Sequence, residues 1–141
     1  MGYTHYFRGQ NVTITPELVT DINNIIVGAM ARGISIRNGL GEGEPIVNET
    51  EVILNGDASE DEDYETFSFT SGETTGGLAS FCKTARKPYD AVVGAILLRL
   101  HETIPGFEFS SDGSFEEDSD WGKAKSLYLQ VFGEEARTFE N

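Results

Sequence analysis

Residues 81–102 read FCKTARKPYDAVVGAILLRLHE, and most of the architecture is set by how this stretch is read. Its second half spaces Val92, Val93, Ile96, Leu97 and Leu100 as one helical face, and Pro88 stands where a first turn begins. A helix is therefore predicted from about Pro88 to Glu102, with that apolar stripe against a core. Its first half gathers Lys83, Arg86 and Lys87, three of only ten basic residues in a chain of formal net charge −14. A helix N-terminus already carries partial positive charge and unpaired N–H groups, so each cation there costs roughly 0.3–1 kcal/mol. The cluster calls for a compensating anion.

Outward from that helix, GFEFSSDG (106–113) alternates through Phe107 and Phe109 as a strand that turns at Ser110 to Gly113. WGKAKSLYLQVFG (121–133) repeats Trp121, Ala124, Tyr128 and Val131 at helical intervals and stops at Gly133. Upstream, EVILNG (51–56) and YETFSF (64–69) read as two strands separated by the acidic loop DASEDED, a hairpin with a long tip. ISIRN (34–38) is a short strand before the glycine-rich turn GLGEGEP, and the spacer TSGETTGG (70–77) links the hairpin to the basic cluster. Pro16 to Ala31 forms a helix with Thr15 as N-cap, Leu18, Ile22, Ile25, Ile26 and Ala29 on one face, and Gly33 as its stop. GYTHYFR (2–8) alternates, with Tyr3, His5 and Phe7 on one face and Thr4, Tyr6 and Arg8 on the other, as a strand does.

The order strand, helix, strand pair, helix, strand, helix defines an α+β fold. It is close to the ferredoxin-like split βαβ sandwich, a mainly antiparallel sheet with helices on one face, with an added C-terminal helix. A mixed sheet whose strand order is shifted by ISIRN is the competing arrangement. Ile22, Ile26, Val93, Ile96 and Leu100 are expected to be buried where the first helix and the Pro88 helix meet the sheet. The chain reads as one domain over residues 1–133 with a frayed tail at 134–141. Its 141 residues, 38% hydrophobic with nine Phe and five Tyr, are enough for a real core.

Function classes narrow in the same way. No apolar run approaches the roughly 20 residues that span a bilayer, and MGYTHYF lacks the basic start and apolar middle of a signal peptide, so a soluble cytoplasmic protein with no membrane partner is expected. Cys82 is the one cysteine and the two histidines are far apart, so no disulfide, metal or cofactor is expected. No Lys or Arg lies between Asn38 and Cys82, while acids crowd that span, and such a surface repels free nucleic acid. A small anion can still reach a local basic site, because charges more than about 8–10 Å away are largely screened at physiological salt.

Thr84 as hydroxyl donor, the N–H groups of a helix start, and Lys83, Arg86 and Lys87 as cations together suit a phosphate or pyrophosphate, with Tyr89 as a flat surface for a base. The plain alternative is a surface patch paired with acids such as Asp90 or Glu73. His5, with Tyr3 on its strand face, either packs in the core or lines a cleft. Ser110, Ser111 and Asp112 could hold ribose hydroxyls or form an ordinary turn. GLGEGE places Glu44 where a dinucleotide fingerprint needs its third glycine, and neither acidic loop has the sixth-position glycine of a calcium loop. HET (101–103) is half of a paired His-x-Thr signature whose other half is missing at His5, so His101 is expected to cap its helix. No Ser-His-Asp set stands in a recognisable nucleophile context.

The opening MGYTHY, the NG at 55–56 followed by ETFSF, the decapeptide FCKTARKPYD, and SSDG followed by DW resemble a family of small, functionally uncharacterised proteins carried by tailed phages and prophages. The likeness runs from Met1 to about Phe132, with a longer acidic insert between Asn55 and Tyr64. It implies a phage protein in the host cytoplasm, a setting in which small soluble proteins block host functions. The combined expectation is a homo-oligomeric, non-catalytic protein that sequesters a phosphorylated host small molecule, a cyclic nucleotide or ADP-ribose-type immune signal, and so blocks host defence signalling. Its ligand residues would be Tyr3, His5, Lys83, Thr84, Arg86, Lys87, Tyr89, Ser110, Ser111 and Asp112. Oligomerisation is expected because so small a domain offers little depth for a nucleotide-sized cleft. The alternatives are a nucleotide-cleaving enzyme with His5 as acid or base and Asp112 or Asp90 assisting, and an acidic DNA mimic directed at a host nucleic-acid-binding protein.

Overall fold

A computed structural model of the chain describes residues 3–9, 12–71, 78–113 and 121–136. The apolar helix is α2 (Asp90–Thr103), which begins two residues after Pro88 and buries every residue from Ala91 to Leu98 as well as Leu100. A helix apolar almost all round sits inside the molecule, not on one side of it. α1 (Pro16–Ala31) starts where Thr15 Oγ1 accepts the Leu18 N–H at 3.1 Å and buries Leu18, Ile22, Ile25, Ile26 and Ala29. α3 (Gly122–Phe132) buries Ala124, Leu127 and Tyr128 and ends at Gly133 with a left-handed φ of 74°. α2 and α3 approach closely at Gly94, where a Cβ would stand 2.7 Å from Ala124 Cβ and 3.0 Å from the Trp121 ring. Arg99 fastens all three helices: its Nε donates to Asp21 at 2.9 Å, its Nη1 donates to the Tyr128 hydroxyl at 3.0 Å, and its guanidinium lies 4.0 Å over the Phe132 ring.

The fold is α+β, with three helices and two antiparallel three-stranded sheets among the described residues. The first sheet has the order β5-β1-β6, formed by β1 (Thr4–Gly9), β5 (Leu78–Lys83) and β6 (Glu108–Ser111). The second has the order β2-β3-β4, formed by β2 (Ile46–Val47), β3 (Glu51–Leu54) and β4 (Phe67–Thr70). The ferredoxin-like arrangement would join its strands in one sheet; here the pairing divides in two, and β1 is antiparallel to both of its neighbours. β5 is the strand that local pattern does not reveal, because glycine and threonine lead into it and only Phe81 to Lys83 alternate visibly. ISIRN contributes a single bridge, Arg37 to Asn55, and Ile46–Val47 takes its place beside β3.

The division has a local cause. Where β4 could extend along β5, Glu65 N–H donates to the Lys83 carbonyl at 3.1 Å, and Lys83 N–H donates to the Glu65 side chain at 2.8 Å. The Tyr89 hydroxyl then donates to the Glu65 carbonyl at 2.6 Å and approaches that of Lys83 at 3.3 Å. Side chains thus satisfy main-chain groups that a continuous ladder would have paired. The expected hairpin of the second sheet forms, and its loop is held by Asn55, whose Oδ1 accepts N–H bonds from Gly56 and Tyr64. Gly56 is required: a Cβ there would lie 1.9 Å from the Glu62 carbonyl oxygen.

Ile22, Ile26, Val93, Ile96 and Leu100 are all buried. Of the expected tail, residues 137–141 lie outside the described residues, while Ala136 packs against the core. The linker residues 72–77 and the acidic loop 114–120 also lie outside the described residues. No helix among the described residues is long and apolar enough to cross a membrane.

Candidate functional site

Segments far apart in the chain converge at the end of the first sheet where β1 begins and β5 and β6 finish. Thr84 N–H donates to the Tyr3 carbonyl at 3.1 Å. Asp112 N–H donates to the Thr4 carbonyl at 3.0 Å, and Thr4 N–H donates back to Asp112 Oδ2 at 3.1 Å. At the centre is His5, 1% exposed. Its Nε2 lies 2.6 Å from Asp90 Oδ1 and its Nδ1 lies 2.8 Å from Ser111 Oγ, while the rings of Tyr3 and Trp121 meet it edge-on at 5.1 and 5.0 Å.

Ser111, His5 and Asp90 thus stand in the order of a nucleophile, a base and an orienting carboxylate, an arrangement not legible in the sequence. Hydrogen-bond capacity decides what it can do. Ser111 Oγ also accepts the Trp121 Nε1–H at 3.1 Å and the Gly113 N–H at 2.9 Å. A hydroxyl has two lone pairs and one hydrogen, so both lone pairs are occupied and the hydrogen is directed at His5 Nδ1. The ring hydrogen then faces Asp90 from Nε2, and the same carboxylate oxygen accepts the Thr84 hydroxyl at 2.5 Å. A serine attacks through a lone pair, and this one has none to offer while Trp121 and Gly113 are in place. The network acts instead as a buried strut joining β1, β6, α2 and the start of α3.

The basic cluster is arranged differently from its expectation. The first turn of α2 holds Asp90, so the chain itself places a negative charge at the helix start. Tyr89 is fully enclosed, so it offers no flat surface for a base. Thr84 is buried with its hydroxyl on Asp90. Lys87 turns toward the acidic loop and donates to the Asp61 carbonyl at 2.9 Å. Arg86 is brought to the surface by a tight turn closed by Lys87 N–H to the Thr84 carbonyl at 3.0 Å. The two central residues, Ala85 and Arg86, have φ of 51° and 57°, the left-handed region that costs a non-glycine residue about 1–2 kcal/mol. The turn lays the Arg86 guanidinium 4.1 Å over the Tyr3 ring.

Tyr3, His5, Lys83, Thr84, Arg86, Ser111 and Asp112 are therefore brought to one end of the sheet, Ser110 lies on its exposed side, and Lys87 points away. Sequence reasoning underweighted Asp90, naming it as a partner for the basic patch or as a possible assistant in cleavage, and missed Thr4, Glu65 and Trp121. The signals were present: Asp90 opens the apolar helix, and Glu65 and Trp121 stand in ETFSF and DW. His101 reaches beyond its own helix, with Nδ1 3.0 Å from the Phe107 carbonyl, and ties α2 to the start of β6. Burial, followed by the nearby charge of Glu65, pushes the Cys82 thiol up to about 12, and burial likewise raises the Tyr89 phenol. No group of three or more His, Cys, Asp or Glu among the described residues is placed to hold a metal ion. No protein-family model, curated protein or solved structure matches the chain.

Proposed function

We propose that the protein binds a small phosphorylated molecule at this end of the first sheet and holds it without chemistry. The observation that carries the reading is the Ala85–Arg86 turn: two left-handed non-glycine residues present one of ten basic side chains, stacked on Tyr3, where the distant segments meet. Backbone strain of this kind persists where the surrounding structure over-determines it, and it clusters at ligand-binding sites. Lys83, at the end of β5 beside Thr4, supplies a second cation to the same end. In the phage setting that the sequence resemblance implies, such binding would withdraw a phosphorylated host signal from its receptor.

Cleavage is the second reading, favoured by the Ser111–His5–Asp90 order and opposed by the occupied lone pairs of Ser111. One experiment separates the two. Purified protein is incubated with nucleotide-containing host lysate, washed and heated, and the released small molecules are identified by mass spectrometry. Intact ligand is expected; an altered product would establish cleavage. Arg86→Ala should weaken binding about ten- to a hundredfold, the worth of one hydrogen bond to a charged group. A variant that binds normally but melts lower would reduce Arg86 to a structural role.

A further inference from the structure

The solvent side of the β5-β1-β6 sheet carries a second feature. Paired residues of neighbouring strands share a face, so the register Thr4↔Lys83 and Tyr6↔Phe81 with β5, and Tyr6↔Ser110 and Arg8↔Glu108 with β6, defines three rows. Lys83 lies in the first row, Phe81, Tyr6 and Ser110 in the second, and Arg8 and Glu108 in the third. The opposite face, with His5, Phe7, Cys82 and Phe109, is buried. Tyr6 and Phe81 are 43% and 58% exposed and meet edge-to-face with centroids 6.4 Å apart. An open groove of about 410 Å³ adjoins Tyr6, lined among others by Arg8, Ser80, Glu108 and Ser110.

We propose that this face is the base-stacking surface of a nucleotide, an inference that rests on the reading that the protein binds a phosphorylated small molecule. Exposed aromatics on a rigid sheet stack nucleobases independently of base identity, and the flanking Ser110 hydroxyl can bond to base edges. Charge gives the orientation. The Arg8 guanidinium donates twice to Glu108, at 3.1 and 2.8 Å, which neutralises the third row, whereas the first row carries the Lys83 cation. Lys83 stands two residues along the strand from Phe81, about 7 Å. The phosphate therefore lies at Lys83, toward the Arg86 end, and the ring lies over Phe81 and Tyr6. The groove falls within the roughly 300–1,000 Å³ range of small-ligand sites, and a net charge of −14 disfavours a long polyanion.

The test titrates the protein with adenosine 5′-monophosphate, ADP-ribose, ribose 5-phosphate and a short single-stranded RNA, using Tyr6→Leu and Phe81→Leu, which keep apolar area but remove the rings. The base-containing small probes should bind more tightly than ribose 5-phosphate. Each variant should weaken them about 5- to 150-fold, leave ribose 5-phosphate unchanged, and melt like the parent. If ribose 5-phosphate binds as well as the nucleotides, or the variants bind them like the parent, the stacking surface is refuted while phosphate binding stands. Binding of none of the small probes refutes both readings, and RNA binding far tighter than the mononucleotide overturns the choice of a small-molecule occupant.

Discussion

Ser111 accepts two N–H groups and donates one O–H, so its hydroxyl is worth more to the fold than its exposure suggests. Ser111→Ala removes the acceptor used by Trp121 Nε1 and Gly113 N and the donor to His5 Nδ1. Each buried polar group left unsatisfied costs about 1–3 kcal/mol, so a clear drop in melting temperature is expected. A catalytic serine would give the reverse pattern, an unchanged melting temperature with lost turnover. Thermal unfolding of the variant, run beside ligand release, separates the two roles. The same reasoning explains why Asp90 carries more than its place in the sequence indicated: one carboxylate oxygen meets both His5 and Thr84 while it also answers the dipole of α2.

Between elements, α2 and α3 approach closely at Gly94. Gly94 has no positive φ to justify it; its reason is Ala124, which leaves no room for a further methyl. Gly94→Ala should therefore destabilise by about 1–3 kcal/mol through overpacking, although alanine is the better helix former. Ala124→Gly removes the opposing methyl, so the double variant should recover part of the loss, a coupling of the size seen between touching residues, about 0.5–3 kcal/mol. Urea denaturation of the parent, both single variants and the double variant measures it. A Gly94→Ala protein as stable as the parent would mean that the helices do not meet there.

For the molecule as a whole, the seam between the two sheets is also its alkaline weak point. Cys82 and Tyr89 lie on it together, the thiol donating to the Glu65 carbonyl at 3.6 Å and the phenol to the same oxygen at 2.6 Å. Unfolded, the two groups ionise near 9 and 10; folded, burial holds the thiol to about 12 and raises the phenol as well. Their raised values contribute stability that is fully present below about pH 9 and is lost as pH rises, because the unfolded chain releases these protons first. The slope should be about 1.4 kcal/mol per pH unit from one group and roughly double once tyrosine ionises in the unfolded state. Urea midpoints measured from pH 7 to 11 check this, and Cys82→Ala should flatten the segment between pH 9 and 10. A flat profile in the parent would place both side chains in water.

Local chemistry settled the features that contiguous residues can specify. Thr15 and Pro16 start α1, Gly33 and Gly133 stop their helices, and the stripes through Ile22, Ile26, Val93, Ile96 and Leu100 mark buried faces, so the α+β class and the hairpin of β3 and β4 follow from short-range signals. Tertiary structure alone decided that β5 pairs with β1 and that the strands divide into two sheets at Glu65 and Tyr89. The physical reason is separation along the chain. His5 is 85 positions from Asp90 and 106 from Ser111, and whether a histidine finds its partners is a question of which strands pair and how each lone pair is filled, which no local propensity encodes.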